Sequence, residues 1–372
     1  MTPEPKEIME EAPAKASRLW MILLALCAVA LIGAAALIFL NQGDGGDDDE
    51  ELGLLRLGWA VPDGEETVGS VILDVDPGDG GTNRLQVDVD PVDGSWLADI
   101  DVVGVELIPY RGEADTATLS LELEGSDQRG SSDFDFSGGD AWEIRVTSDE
   151  IRLATFFVLL PDPNLFGNER VELLPEDPEA RALYERASEA VANWHRVRYE
   201  QQLSNGEGLA VVSFREVNDG SDGSEPGFRY VTPGGLEAYV IGTTAWSRYP
   251  GEAWDVRESN ALIPPSEWGG EYEGATGFQL GPVTDGPDGP CRVITFVVPG
   301  GERQAIAWYA WCIDEESGML VRDSMIARAH YMITEFSDFD GDVVLSPPIE
   351  AEVPPRGSPS PVAGVSSTTN ER

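Results

Sequence analysis

The longest unbroken apolar run in the chain spans residues 19–40, LWMILLALCAVALIGAAALIFL, and carries no charge. A helix rising about 1.5 Å per residue needs roughly 20 such residues to cross a bilayer core, so this run predicts a transmembrane helix. Beyond it the pattern changes to period two. Residues 70–76 and 85–90 alternate apolar and polar on either side of a Pro/Gly/Asp cluster. Residues 102–108, 117–123, 141–146 and 153–160 add four more strands. Short strands with turns between them and no helical period predict a small Ig-like sandwich.

The period then becomes helical once. Asp177 can cap and Pro178 fits a first turn, where its missing N–H costs nothing. Leu183, Ala187, Val191 and Trp194 follow at spacings of four, four and three and form one apolar stripe. Period two returns with Val197, Tyr199 and Leu203 and continues through 228–231, 236–241, 245–249 and 253–257. The pattern predicts a helix lying over a long antiparallel meander. From Pro347 the chain is rich in Pro, Ser and Thr, lacks aromatics, and reads as disordered.

Charge orients these segments. Lys6, Lys15 and Arg18 precede the apolar run, and Asp44, Asp47, Asp48, Asp49, Glu50 and Glu51 follow it, with no Lys or Arg before Arg56. The positive-inside bias puts the N-terminus in the cytoplasm and the bulk of the chain outside a bacterial cell membrane. A cleaved signal peptide, with Ala34-Ala35-Ala36 as its site, is the rival reading, but its apolar region runs only about 7–15 residues. Leu26 occupies the position where a lipoprotein box ending at Cys27 needs a small residue.

The chain holds 68 acidic residues against 24 basic ones, a net charge of −44. Such a surface repels nucleic acid and anionic headgroups and excludes a nucleic-acid partner. Two acidic loops, from Asp74 to Gly80 and from Asp338 to Asp342, resemble calcium loops but lack the EF-hand order. Catalysis finds no foothold. There are two histidines, His195 and His330, no lysine after the apolar run, and no serine in a nucleophile-elbow context. No enzyme activity and no cofactor are expected.

Cys291 and Cys312 flank a Pro-Gly-Gly turn. Folding this hairpin about its middle sets them opposite one another, within the roughly 4.4–6.8 Å that a disulfide requires. An oxidising compartment agrees with that pairing. A reduced pair or a two-cysteine metal site is the alternative.

Two resemblances add to this reading. Pro77, Gly80, Asn83, Leu85, Val87, Val89, Trp142, Ile144, Val146 and the stretch 156–161 resemble the FixH/YtkA-like Ig domain attached to CopC/CopD-type copper-resistance proteins. Copper modules of that type coordinate through His and Met, and this segment has neither. The run 311–322, WCIDEESGMLVR, resembles the W-x-D-x-x-T-G-L-x-x-R hairpin of periplasmic lipoprotein carriers, the LolA-like and LppX-like families. Arg229, Gly242 and the stretch 246–254 match that family's earlier strands, and 336–339 followed by Pro347-Pro348 matches its closing strand. The resemblance implies a curved antiparallel half-barrel with a covering helix, enclosing a cavity for lipid chains.

The expected organisation is mainly β. It comprises a cytoplasmic tail (1–18), a transmembrane helix (19–40), an acidic linker (41–51), an Ig-like sandwich (52–165), a LolA-like α+β half-barrel (175–348) and a disordered tail (349–372). The leading function is a single-pass membrane protein holding a lipid or lipoprotein acyl ligand, with Trp246, Trp254, Phe278, Phe296 and Trp308 lining the site. Copper handling through Met325, His330 and Met332 is one alternative, and a structural or sensory interaction module of the cell envelope is another.

Overall fold

The computed structural model describes residues 55–63, 66–77, 82–124, 128–149, 151–159, 175–204, 210–232, 234–260, 264–287, 289–299, 306–327 and 330–348. The apolar run 19–40, Cys27, the linker and the C-terminal tail lie outside them. Among the described residues no helix is long and apolar enough to cross a membrane.

The first unit is built from eight strands, β1 (Leu55–Asp63), β2 (Glu66–Pro77), β3 (Thr82–Pro91), β4 (Val102–Gly112), β5 (Ala117–Glu122), β6 (Arg129–Asp135), β7 (Gly139–Ser148) and β8 (Ile151–Val158). They form two four-stranded sheets, ordered β1-β2-β3-β6 and β5-β4-β7-β8. The alternating positions behave as the period demands. Val71, Leu73, Val75, Leu85, Val87, Val103, Val105 and Leu107 are buried, as are Trp142, Ile144 and Val146. Trp142 meets Phe136 edge-on at 5.2 Å between ring centroids. Strands β1 and β6 are additions to the six expected. β6 reads RGSSDFD and shows no apolar alternation, because it completes a sheet edge with one buried position, Gly130.

The second unit opens with helix α1 (Pro178–Ala192), where the Asp177 carboxylate accepts from the Glu179 N–H at 2.8 Å. Its buried face is Ala180, Leu183, Ala187 and Val191, the stripe that the spacing requires. The strands that follow are β9 (Arg196–Ser204), β10 (Ala210–Asn218), β11 (Gly227–Val231), β12 (Glu237–Ile241), β13 (Thr244–Arg248) and β14 (Asp255–Glu258). A 3-10 segment (Pro265–Tyr272) leads to β15 (Thr276–Gly286), β16 (Gly289–Val298), β17 (Ala307–Ile313), β18 (Leu320–Ala327) and β19 (His330–Ser337). All eleven strands join one antiparallel sheet in the order β14-β13-β12-β11-β10-β9-β19-β18-β17-β16-β15. The expectation of one long meander is therefore corrected. There are two meanders, and the first and last strands pair at the centre, with Phe336 opposite Tyr199 and Glu335 opposite Glu200.

Strand alternation divides the sheet into a front, on which α1 lies, and a back. The hairpin turn before β18 follows from its sequence. The Asp314 carboxylate accepts from the Ser317 N–H and hydroxyl, and Gly318 takes φ 76°, which suits a residue without Cβ. Cys291 and Cys312 are joined, with 5.4 Å between Cα atoms. The register pairs Val293, and not Cys291, with Cys312, so the bridge runs diagonally across the ladder.

The sandwich docks on the back of this sheet, and its core is continuous with Val293, Val297, Trp308, Ala310, Ile326, Tyr331 and Ile333. Two exposed strand edges meet there, and single side chains of the second unit close both. The Gln202 amide accepts from the Ala60 N–H at 3.2 Å and donates to the Ala60 carbonyl at 2.9 Å, along edge strand β1. The Tyr331 hydroxyl accepts from the Phe157 N–H at 3.1 Å and donates to the Thr155 carbonyl at 2.9 Å, along edge strand β8. Between them lies a buried ionic cluster. Arg322 reaches Glu143 at 2.7 Å, with side-chain exposures of 2% and 1%, and donates to the Tyr110 hydroxyl at 3.1 Å. Glu143 also accepts from Arg145, which turns to Thr284 and the Asp285 carbonyl of the second unit.

Removing one member of such a pair leaves an uncompensated buried charge, which costs about 3–5 kcal/mol. Glu143→Gln should lower stability in urea unfolding by that order. Glu143→Met combined with Arg322→Leu should cost less than Glu143→Gln alone, with a residual loss from Arg145, which Glu143 also holds. Equal losses would show that the pair is not what joins the units.

Candidate functional site

The two halves of the front face differ. Helix α1 packs across β15, β16 and β18, and the 3-10 segment packs on α1. Beneath them the space is filled with rings. Phe296 stacks on Tyr309 at 5.2 Å and on Phe278 at 5.3 Å, and Tyr184 of α1 stacks on Trp311 at 5.0 Å. Tyr272 meets Trp311 edge-on at 4.8 Å, and its hydroxyl donates to Asp323 at 2.9 Å. These rings form a solid core.

Strands β10 to β13 continue the front face beyond the helix. Register places Tyr199, Gln201 and Leu203 of β9 beside Ser213 and Arg215 of β10, then Phe228 and Tyr230 of β11, Ala238 and Val240 of β12, and Ala245 and Ser247 of β13. Tyr230, Ala238, Val240 and Ala245 are buried. Gln201 donates to the Met332 sulfur and to the Thr334 hydroxyl, both at 3.1 Å.

The back of the same strands carries a ladder of alternating charge. Arg198 pairs with Glu216 at 2.8 Å and also with Asp338, and Glu216 accepts from Arg229 at 3.3 Å. Glu237 then bridges Arg229 at 3.4 Å and Arg248 at 3.1 Å. Burial works against the charge on Glu237, but hydrogen bonds from Tyr239 and Arg248 and the charge of Arg229 outweigh it and lower its pKa. Glu200, further along β9, has no arginine so close. It faces Glu335 across the central pairing, where the Gln202 amide reaches it at 3.4 Å and Arg152 of the sandwich pairs with Glu335 at 2.7 Å.

The five aromatic side chains expected to line a site do not converge. Phe278 and Phe296 lie in the ring-filled core under α1. Trp308 points from the back into the docked sandwich, where the Arg111 guanidinium lies 4.7 Å from its ring centroid. Trp246 faces back, opposite Tyr239, and Trp254 packs there under Arg248 at 4.2 Å. Sequence reasoning missed Arg215, Phe228 and Tyr230 as a front-face set. Alternation within β10 and β11 puts Arg215 on the face of Ser213 and Phe228 on that of Tyr230, but only the register joins the two strands' faces.

Met325 stands directly opposite Met332, and the side chain of His330 lies outside the described residues. No group of three or more His, Cys, Asp or Glu arranged for a metal occurs among the described residues. The Asp340 carboxylate of the closing acidic loop is turned to the backbone, accepting from the N–H groups of His195 at 3.1 Å and Arg196 at 3.3 Å. The other acidic loop, around Asp79, lies outside the described residues.

No protein-family model matches the chain, and no curated protein matches it. Solved structures to which it is similar include LprF from Mycobacterium bovis, 14% identical over 46% of this chain and 98% of that one, TM-score 0.36. The lipoprotein LppX of Mycobacterium tuberculosis is 15% identical over 46% and 100% of the two chains, TM-score 0.35. A LolA superfamily protein from Nitrosomonas europaea is 11% identical over 45% and 94%, TM-score 0.22.

Burial first, and then repulsion from Glu335, raises the pKa of Glu200. For a carboxyl so raised, folding favours the protonated form. Its contribution is full below the ordinary glutamate pKa of about 4.3 and is lost as pH rises through the raised value. Glu200→Gln should therefore stabilise the protein near neutral pH by up to about 1 kcal/mol, the scale of an opposed like-charge pair in a sheet. The gain should fade as pH falls through that window. A gain independent of pH, measured by urea unfolding, would rule out the electrostatic origin.

Proposed function

We propose that this chain is a membrane-anchored extracytoplasmic binding protein whose eleven-stranded unit holds an apolar, lipid-like ligand on the front face of β9–β13. The observation that carries this reading is the uneven covering of that face. Under α1 the front is packed solid with aromatic rings. Beyond α1 the apolar surface continues through Phe228, Tyr230, Ala238 and Val240, the last three of them buried, although α1 makes its main strand contacts elsewhere, with β15, β16 and β18. A sheet that needed only a core would end its apolar surface where its helix ends. An apolar strand face with a few polar groups at its border suits an acyl chain. The half-barrel resemblance of the 311–322 hairpin agrees with this reading, as an analogy of fold. The role is binding and not catalysis.

Native mass spectrometry of the full chain released from membranes should find co-purifying lipid. Phe228→Asp on the front and Trp246→Asp on the back change residues of similar, half-buried exposure. A charge entering a dry groove costs several kcal/mol, so only the front variant should lose the ligand. Equal retention in both, or lipid-free wild-type protein, would refute the groove.

The anchor assignment rests on the uncharged run 19–40 and the charges flanking it. Protease added to cells with a permeabilised outer layer should remove the folded units and leave a fragment of a few kilodaltons in the membrane. Recovery of the full-length chain in the soluble fraction would contradict it.

A further inference from the structure

In a chain with 68 acidic residues, the front face of β9–β13 carries none. The three glutamates of these strands, Glu200, Glu216 and Glu237, all face back. The ladder arginines of the same strands, Arg198, Arg229 and Arg248, face back as well, each beside a carboxylate. Arg215 is the exception. It stands mid-strand on the front, half-buried, with no carboxylate at ion-pair distance among the described residues. Its guanidinium is held in place by neutral groups. Nε donates to the Ser213 hydroxyl at 3.0 Å, and a second nitrogen donates to the Tyr199 hydroxyl at 3.5 Å. The Tyr199 and Tyr230 rings lie 5.6 and 5.9 Å from it. Beyond these strands, edge strand β14 puts one exposed charge of each sign on the same face, Arg257 and Asp255. Burial pushes the pKa of the Tyr230 hydroxyl up, and Arg215 and Arg257 both pull against it.

A guanidinium fixed by neutral donors and rings, beside apolar surface, is one anion short of a pair. Its remaining N–H groups have the geometry for a carboxylate or phosphate. We propose that the ligand of this face is an anionic amphiphile, its acyl chain along Phe228, Ala238 and Val240 and its anionic head on Arg215. This rests on the groove reading above and adds the ligand's charge to it. The acidic exterior sharpens the selection, because an anion is repelled everywhere except where carboxylates have been kept off the surface.

The test uses the full chain held in an amphipol, titrated with a fluorescent polyene fatty acid and, separately, with its methyl ester. The acid should bind at least about tenfold more tightly than the ester, the scale of a charge-assisted hydrogen bond. Added salt should erode that preference. Arg215→Gln should abolish it while leaving the ester's affinity unchanged, Arg215→Lys should keep part of it, and Arg248→Gln on the back should leave it intact. Arg215→Lys keeps the charge in place, so it decides the matter if Arg215→Gln fails to fold, a loss of all preference in Arg215→Lys counting against the inference. Inorganic phosphate should compete only weakly, since it lacks the acyl chain. Equal binding of acid and ester overturns this inference and leaves the groove standing. A preference that survives Arg215→Gln overturns it too. If neither probe binds, the groove reading fails and this inference fails with it.

Discussion

The pairing of β9 with β19 is the constraint on which the rest of the structure depends. It joins two meanders that are otherwise local in sequence, and every other neighbour in the large sheet is a hairpin or close to one. It also carries a cost, because Glu335 and Glu200 stand directly opposite each other. Like charges opposed in a sheet are destabilising, and here both are partly buried. Arg322 and the sandwich's Arg152 supply the compensating charge at 3.8 and 2.7 Å from Glu335. The sandwich is therefore more than a neighbour of the sheet. It supplies a countercharge to the closing pair of strands.

The same contact resolves a second problem. A four-stranded sheet leaves two edges, and unpaired edges invite association with other chains. Gln202 and Tyr331 cover β1 and β8 by imitating a partner strand, each offering one donor and one acceptor to outward-facing backbone groups. These contacts are neutral and buried, so salt does not screen them, whereas the Arg152–Glu335 pair at the border is half-exposed and subject to screening. The Arg322–Glu143 pair between them fixes register more than it adds stability, because desolvation offsets most of the attraction of a buried pair.

Much of this was legible in the alternation of apolar positions. The stripe Leu183, Ala187 and Val191 specified α1 and its buried face, and Asp177 its start, because capping and periodicity are local properties. The cysteine pairing was legible from hairpin geometry, although Val298 pairs with Ala307, so the ladder is centred about one residue further along the chain than the Pro-Gly-Gly turn suggests. Strand β6 was not legible, since a polar edge strand is held by its neighbour's backbone and leaves little trace in hydropathy. Arg322 was visible as the last residue of a carrier-like hairpin. Its burial against Glu143 depends on a unit some 180 residues earlier, and no local pattern encodes that contact. The site aromatics were misgrouped for a related reason. Residue type marks Trp246, Trp254, Phe278, Phe296 and Trp308 as apolar, but only register and docking decide which face each one joins.

The two faces of β9–β13 form one mechanical object with opposite chemistry. Every residue that turns a carboxylate to the back leaves its neighbours to face front, so the charge ladder and the carboxylate-free front follow from a single alternation. The ladder ties five strands together side chain to side chain without using the front at all. Docking of the sandwich likewise takes up the back of β16 to β19 and of β9. Ionic strand cohesion and domain docking are both placed behind the sheet, while the front of the same strands packs as apolar surface, with Tyr199 and Phe228 joining the core under α1. Arg215 is the one charged side chain on the front of β9–β13. Ser213 and the two tyrosines orient it without neutralising it.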